Sequence, residues 1–349
     1  MAKRAKAGVP RSAAKAKRKV TRKVLKKSVK TTRKTVRVAK AKAPRKPVSA
    51  KAAKKIVKAP TAAALVREAV RRYAKSDLVF AHGTTDPVAE TAFLLCETVG
   101  VHPAEFDRIA RKPATRAHAA RFRDLIAQRI ATRKPAAYLV NKMYMMGWPF
   151  YVDERTIVPR SFVGELLESH FSGDGLSLID PARVRRVLDL CTGSGCLAIL
   201  AAVHFPDAQV DAVDLSQDAL AVAAHNVALY GFEDRVTLHQ GNLFEAIGDA
   251  RYDLIITNPP YVDADGMAGL PRECLHEPPM AFDGGDDGLD LVRVILDSAK
   301  QHLTPDGGLL CEIGRGRDLL GDAYPNLPLL WLDTEDSDGE VFWISAEAL

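Results

Sequence analysis

Residues 1–60 carry 24 lysines and arginines and not one aspartate or glutamate. That stretch cannot collapse on itself, because like charges repel and too few large apolar groups are present to offset the conformational entropy lost on folding. It reads as a disordered Lys/Arg/Ala-rich tail, as in Lys42-Ala-Pro-Arg-Lys-Pro47. Its composition suits a polyanion bound through counterion release, with RNA the expected contact and DNA the alternative. A solvated extension resting on the rest of the chain is the other reading. A mitochondrial presequence fits less well, since such segments are Arg/Ser-rich amphipathic helices. Whatever folds therefore lies in residues 61–349, which hold 26 basic and 43 acidic residues, a balance of −17 that the overall +7 conceals. No run reaches the roughly 20 apolar residues of a membrane span, so no membrane is expected. The five cysteines are scattered without paired spacing, and His276-Glu277 lacks a second histidine. A reduced, cytoplasmic protein without a metal is expected.

The folding part is long enough for two domains. Between 61 and 140 the apolar spacing is helical. Asp86-Pro87 places an N-cap before a proline at the first helical position, and the segment it opens runs through Ala92, Phe93, Leu95 and Cys96. Thr115 caps a further helix in which Phe122, Ile126 and Ile130 recur every fourth residue beside Leu125, a stripe expected in the core. Residues 141–180 are expected to form a hairpin and linker over a pocket. The hairpin is read from aromatic and β-branched residues across 143–158, around Gly147 and Asp153. From 181 to 349 strands and helices alternate, which predicts a mostly parallel α/β sheet covered on both faces. Strands are expected at 186–190, 209–214, 235–239, 252–257, 309–313 and 341–344, with helices at 196–203 and 218–230.

The tetrapeptide Asn258-Pro259-Pro260-Tyr261 follows the fourth of these strands directly. In a doubly wound sheet that end of a strand is where ligands bind. The motif suits methylation of a planar NH2 group, whose lone pair is delocalised and must be aimed by acceptors that hold its hydrogens. The Asn258 side-chain oxygen and the Pro259 carbonyl can each take one N–H, the prolines add no competing donor, and Tyr261 offers an aromatic wall. Asp189-Leu-Cys-Thr-Gly-Ser-Gly195 turns from the first strand into a helix, bringing backbone N–H groups close to a ligand. With Asp214 about twenty residues on, this turn fits NAD as well as S-adenosylmethionine. The amine-positioning motif separates the two, because hydride transfer has no use for it. For the methyl donor, Asp189 can accept from its ammonium group, Asp214 from both ribose hydroxyls and Asn242 from the adenine amine. Leu243 and Phe244 would wall the ring. Cys191 and Cys196 read as small packing residues.

Together, Tyr151-Val-Asp-Glu-Arg-Thr-Ile-Val-Pro-Arg-Ser161, Gly164-Glu-Leu166, Asp189-Leu-Cys-Thr-Gly-Ser-Gly-Cys196 and Asn258-Pro-Pro-Tyr-Val-Asp263 resemble the protein-glutamine N5-methyltransferases across residues 61–349. The Val-Pro-Arg-Ser segment, the cysteine in the glycine turn, His276-Glu-Pro278 and Asp287-Gly-Leu-Asp-Leu291 are similar to the branch acting on ribosomal protein L three. The release-factor branch typically carries Pro-Arg-Pro-Asp-Thr-Glu in place of the first of these. The resemblance implies a Rossmann-like, seven-stranded class I methyltransferase sheet with an antiparallel strand near its C-terminal end. A small helical domain that helps select the protein substrate would precede it. It implies S-adenosyl-L-methionine as cofactor and N5-methylation of a glutamine in ribosomal protein L three, alone or in the assembling large subunit. By that resemblance Asn258 and Pro259 hold the glutamine amide, with Pro260 and Tyr261 shaping its slot. Thr192, Gly193, Ser194, Gly195, Asp214, Asn242 and Leu243 hold the donor, and Pro159 and Arg160 lie near the pocket mouth. Asn242 departs from the acid usual there, and the tail has no family counterpart; it would raise the local concentration of enzyme at ribosomal RNA. Two other readings stand beside this one: methylation of a nucleic-acid base amine of the adenine N6 type, and a non-catalytic ribosome-assembly or nucleoid-binding protein.

Overall fold

The structure, a computed structural model, describes residues 59–349 apart from 174–176 and 336. The basic tail expected to be disordered lies outside the described residues, save its last two positions.

The first folded part is helical: α1 (Ala62–Tyr73), α2 (Pro87–Val99), the single turn α3 (Phe106–Ile109), α4 (Arg116–Thr132) and α5 (Ala136–Val140). Its boundaries follow from capping chemistry. The Asp86 side chain accepts from the Val88 N–H and Gly100 ends α2 in the left-handed region, while Thr115 accepts from the His118 N–H at the start of α4. The expected stripe on α4 is in the core at Phe122, Leu125 and Ile126, with Ile130 partly buried. Arg129 lies within that stripe, fully buried, which the apolar spacing did not announce. Its guanidinium is paired with Glu90 (3.0 Å) and donates to the carbonyls of Val79 and Arg133. Glu273, from the far end of the chain, completes the knot by accepting from Arg133 (2.9 Å) and from the Val79 N–H (3.1 Å).

A two-stranded hairpin follows, β1 (Met143–Met145) with β2 (Trp148–Phe150), closed by Met146 and Gly147, both at positive φ. Such a mirror-type turn matches the twist of the strands it joins. The expected hairpin ran to 158, but 151–158 is a loop: the N–H groups of Tyr151, Arg155 and Val158 go to the side chains of Asn226, Asp153 and Glu277 and not to a neighbouring strand. The stretch expected to be linker holds a helix, α6 (Val163–His170), buried along Leu166 and Leu167.

The remaining strands are β3 (Arg186–Leu190), β4 (Gln209–Asp214), β5 (Val236–Gln240), β6 (Tyr252–Thr257), β7 (Leu303–Glu312), β8 (Leu330–Leu332) and β9 (Val341–Ser345). The helices among them are α7 (Cys196–His204), α8 (Gln217–Tyr230), the short α9 (Ala264–Ala268), α10 (Asp290–Ala299) and α11 (Arg317–Ala323). They form one seven-stranded sheet in the order β5-β4-β3-β6-β7-β9-β8, parallel except for the antiparallel β9. This is the fold the resemblance implies. Strand β8 is the one the sequence reading missed; it is three residues long at the sheet edge and closely follows Pro328, which reads as a loop signal.

Alternate residues feed two cores. Val187, Leu254, Ile256 and Leu310 face α6 and α7, whereas Leu188, Ile255, Leu309 and Cys311 join Val292 and Ile295 of α10 on the other side. Strands β3 and β6 are central neighbours in order, and the chain reverses its direction of sheet growth between them, so the loops after their C-terminal ends open a crevice. Among the described residues no helix is long and apolar enough to cross a membrane.

Removing one member of a buried ionic knot strands the others. Arg129→Met should therefore lower unfolding free energy by about 3–5 kcal/mol, read from denaturant unfolding of the full chain followed by fluorescence.

Candidate active site

The crevice is built from the ends of β3, β4, β6 and β7. At the end of β6 the Thr257 hydroxyl donates to the Leu190 carbonyl (2.9 Å), which holds the ends of the two central strands together. Asn258 comes next. Its Nδ2 donates to the Arg160 carbonyl (3.1 Å), so the amide can only be oriented one way, with Oδ1 turned away from that contact. That Oδ1 is buried and has no hydrogen-bond partner. A buried acceptor without a donor costs free energy unless a ligand supplies one.

Two cavities meet at this residue. The first, ≈ 450 Å3, is lined by Gly193, Asp214, Asn242, Leu243, Asn258 and Pro260 among others. The second, ≈ 330 Å3, is lined by Pro159, Arg160, Thr192, Ser194, Pro259 and Tyr261 among others, together with Gly193 and Asn258 again. Asn258, Gly193, Cys191, Ile157 and Ala281 belong to both walls. Cys191 is thus more than the packing residue expected of it: it holds a left-handed φ of 58° at the junction. A non-glycine residue in that region is a strained one, of the kind that clusters at functional sites.

The glycine turn is fastened from two sides. Asp214 accepts from the Gly193 N–H (2.8 Å) with one oxygen and from the Ser216 N–H (2.8 Å) with the other. Burial raises its carboxyl above the ordinary value against those two bonds. A Cβ on Gly193 would meet nothing within 4 Å, because that backbone faces open cavity. Gly195 differs: at φ +78° its missing Cβ would press on Ala223 of α8 at 3.1 Å, so it serves close helix packing and lines neither cavity.

Several expected donor contacts are not where the sequence reading put them: Thr192 and Ser194 line the second cavity, and Asp189, Gly195 and Phe244 line neither. Asp189 is completely buried beneath the turn and lines neither cavity. Its Oδ2 accepts from Thr192 Oγ1 (2.5 Å) and from the Ala198 N–H (2.9 Å) at the first turn of α7, and its Oδ1 is unpartnered. Burial pushes this carboxyl up to about 7. Its visible work is to shape the turn. Phe244 likewise lies inside, stacked on His302 with ring centroids 4.5 Å apart, so of the two expected wall residues only Leu243 lines the cavity, beside Val213, Leu215 and Leu291.

Tyr261 is held in its slot from three directions. Its hydroxyl donates to Glu312 at the end of β7 (3.3 Å). A Cβ on Gly314 would lie 2.6 Å from its ring, and one on Gly288 2.5 Å from its carbonyl oxygen. The Asp287-Gly-Leu-Asp stretch therefore contributes a glycine that lets the chain pass against Tyr261. The other Glu312 oxygen accepts from Ser161 Oγ (2.6 Å) and the Phe162 N–H (2.9 Å), and burial pushes this acid up to about 7.

Sequence reasoning missed Glu312 and two further clamps. Glu277, also buried, accepts from the Val158 N–H (2.7 Å), pairs with His82 (2.8 Å) and faces Arg160 (3.7 Å). Asn226 of α8 binds both the N–H and the carbonyl of Tyr151 and donates to the Ser194 carbonyl (2.8 Å). His82, Cys274 and Glu277 have ligand-type atoms within 4.8 Å of one another. With Glu277 engaged by His82 and Val158, an arginine beside it and burial holding the Cys274 thiol up at about 11, they read as a hydrogen-bonded knot.

A sheet of this order, with its glycine turn after β3 and Asn-Pro-Pro-Tyr after β6, defines the methyltransferase class, and residues 175–270 match the methyltransferase small domain model. The chain belongs to the ribosomal protein uL3 glutamine methyltransferase family. It is 67% identical over 287 residues to the member from Bradyrhizobium diazoefficiens, covering 81% of this chain and 90% of that one. The member from Bordetella pertussis is 47% identical over 287 residues, covering 82% and 95%, and that from Neisseria gonorrhoeae 46% over 290 residues, covering 82% and 94%.

The buried Asp189 gives a signed pH test. With its carboxyl raised, the folded chain keeps a proton between the ordinary aspartate range and about pH 7, where the unfolded chain has lost it. Stability from this residue is therefore greatest at acid pH and falls as pH rises through that window. The melting temperature of Asp189→Asn, relative to the parent chain, should rise from pH 5 to about pH 7 and level off above it, as measured by scanning calorimetry at matched ionic strength.

Proposed function

We propose that this chain transfers a methyl group from S-adenosyl-L-methionine to the side-chain amide nitrogen of a glutamine in ribosomal protein uL3. The observation that carries the reading is the unpartnered, buried Asn258 Oδ1 at the junction of two cavities. The names of its relatives supply the substrate.

The first cavity fits the cofactor by its donor and acceptor set. Gly193 presents open backbone, Asp214 can still accept from ribose hydroxyls through its remaining lone pairs, and Asn242 and Leu243 suit the adenine edge and face. When bound, the cofactor supplies an electrophilic sulfonium methyl. The second cavity takes the glutamine. There Asn258 Oδ1 accepts one amide hydrogen and the Pro259 carbonyl the other, while Pro260 and the Glu312-anchored Tyr261 confine the amide plane. Held so, the nitrogen lone pair points across the shared wall, and positioning supplies most of the acceleration. The amide proton leaves to water once nitrogen has taken the methyl. Thr192 and Ser194 line the acceptor side, Asp189 and Gly195 set the turn from below, and Pro159 and Arg160 edge the mouth. Residues 61–140 select the protein substrate and the tail contacts RNA, with the cytoplasm, where ribosomes are built, as the place of action.

Methyl transfer from labelled cofactor to ribosomal proteins of a strain lacking this enzyme, mapped by mass spectrometry, tests the proposal. One methyl on a uL3 glutamine supports it; label on nucleic acid alone overturns the substrate class. In the same assay Asn258→Ala should cut turnover by about a hundredfold or more, while calorimetry finds cofactor affinity largely intact.

A further inference from the structure

Charge is divided unevenly between the two folded parts. Residues 61–142 hold 14 basic and 8 acidic residues, whereas residues 143–349 hold 12 basic and 35 acidic ones. The excess of cations on the helical part is gathered where α1 and α4 run side by side in the same direction. The Ala62 N–H donates to the Lys112 carbonyl at their N-terminal ends, and further along Arg72 donates to the Arg123 carbonyl (3.3 Å). Across this seam Arg71 and Arg72 of α1, with Lys75 just past its C-terminal end, lie beside Arg123 of α4, and Arg116 is two turns before Arg123 on the same face of α4. Glu68 is gripped at the seam by Arg123 through both oxygens (2.7 and 2.8 Å). Arg72 and Arg71 add to the field that lowers its pKa. Arg71, Lys75 and Arg116 are exposed and, among the described residues, form no ion pair.

We propose that this seam is a nucleic-acid-binding face that takes the sugar–phosphate backbone of structured RNA. The inference goes beyond the methyl-transfer reading and uses none of the residues that line its two cavities. Five cations on adjoining helix faces, set against an acid that Arg123 already pairs, leave a local excess of positive charge that attracts a polyanion. Four of the five are arginines, whose planar fork matches phosphate oxygens. The 24-cation segment 1–60 joins the fold at Thr61, the N-cap of α1, so one phosphate chain can run from that segment onto the seam. The acidic catalytic part repels the same chain and keeps it on the helical end. A ribosomal substrate makes RNA the polyanion at hand.

The full chain is titrated with a labelled RNA duplex of roughly 20 base pairs over a salt series. The triple variant Arg71→Ser, Lys75→Ser, Arg116→Ser is compared with a control removing three exposed cations from the catalytic part, Arg183→Ser, Arg185→Ser, Lys300→Ser. The seam variant should weaken binding and lower the slope of log affinity against log salt by about three, one for each phosphate no longer neutralised, while the control leaves the slope in place. Equal slopes for the two variants would overturn the proposal and leave binding to segment 1–60 alone. So would tighter binding to a DNA duplex of the same sequence, or sedimentation showing that a second copy of the chain occupies the seam. Affinity for S-adenosyl-L-methionine, measured by calorimetry, should be unchanged in the seam variant, and the salt slope is read without any methyl transfer, which separates this test from that of the catalytic reading.

Discussion

A carboxylate taken out of water must find hydrogen-bond donors, and in this protein the donors are mostly backbone N–H groups of loops. Asp189 takes Ala198, Asp214 takes Gly193 and Ser216, Glu312 takes Phe162, Glu277 takes Val158 and Glu273 takes Val79. Each bond ties a segment with no ladder of its own to a strand end or a packed turn. The crevice therefore has a defined shape although most of its wall is irregular chain. Burial works against the charged form of these acids, and Asp189 and Glu312 are both pushed up to about 7. Order around the site is thus bought with stability in the sheet.

The two folded parts are joined by the same device. Glu273 and Glu277 flank Cys274 in the loop that follows Asn-Pro-Pro-Tyr, and they reach Val79, Arg133 and His82 of the helical part. Arg160 donates to the Ala81 carbonyl (2.6 Å) while its own carbonyl orients Asn258. A displacement of the helical part would be felt at Asn258 through two hydrogen bonds, which gives the helices a physical route to the junction of the two cavities.

What the sequence made legible was what depends on near neighbours. Parallel strands buried on both faces leave apolar runs, so β3, β4, β6 and β7 could be placed, and Asp86, Thr115 and Gly147 mark their turns by local chemistry alone. The tetrapeptide after β6 and the glycine turn after β3 were readable as a site because each is contiguous. The clamps were not. Glu312 and Phe162 are 150 residues apart, Asn226 and Tyr151 are 75 apart, and neither partner carries a local sign of the other. Asp189 was legible as important but not as buried, since a polar residue closing a strand reads as solvent-facing until the turn above it is seen. Phe244 failed for the converse reason: an aromatic beside Leu243 gives no sign of which of the two faces inward, and His302, far along the chain, settles it.

Clamping by backbone carries a consequence for how such a protein can diversify. The partner of Glu273 is the N–H of Val79, and that of Glu312 is the N–H of Phe162; neither of these bonds reads a side chain. Every amino acid but proline offers that donor. The exposed side chain at 79 can therefore be exchanged without rebuilding the framework, whereas Phe162 also packs against the core beside α6 and is held twice over. The path of the chain around Asn258 is insulated from substitution at its outer anchor.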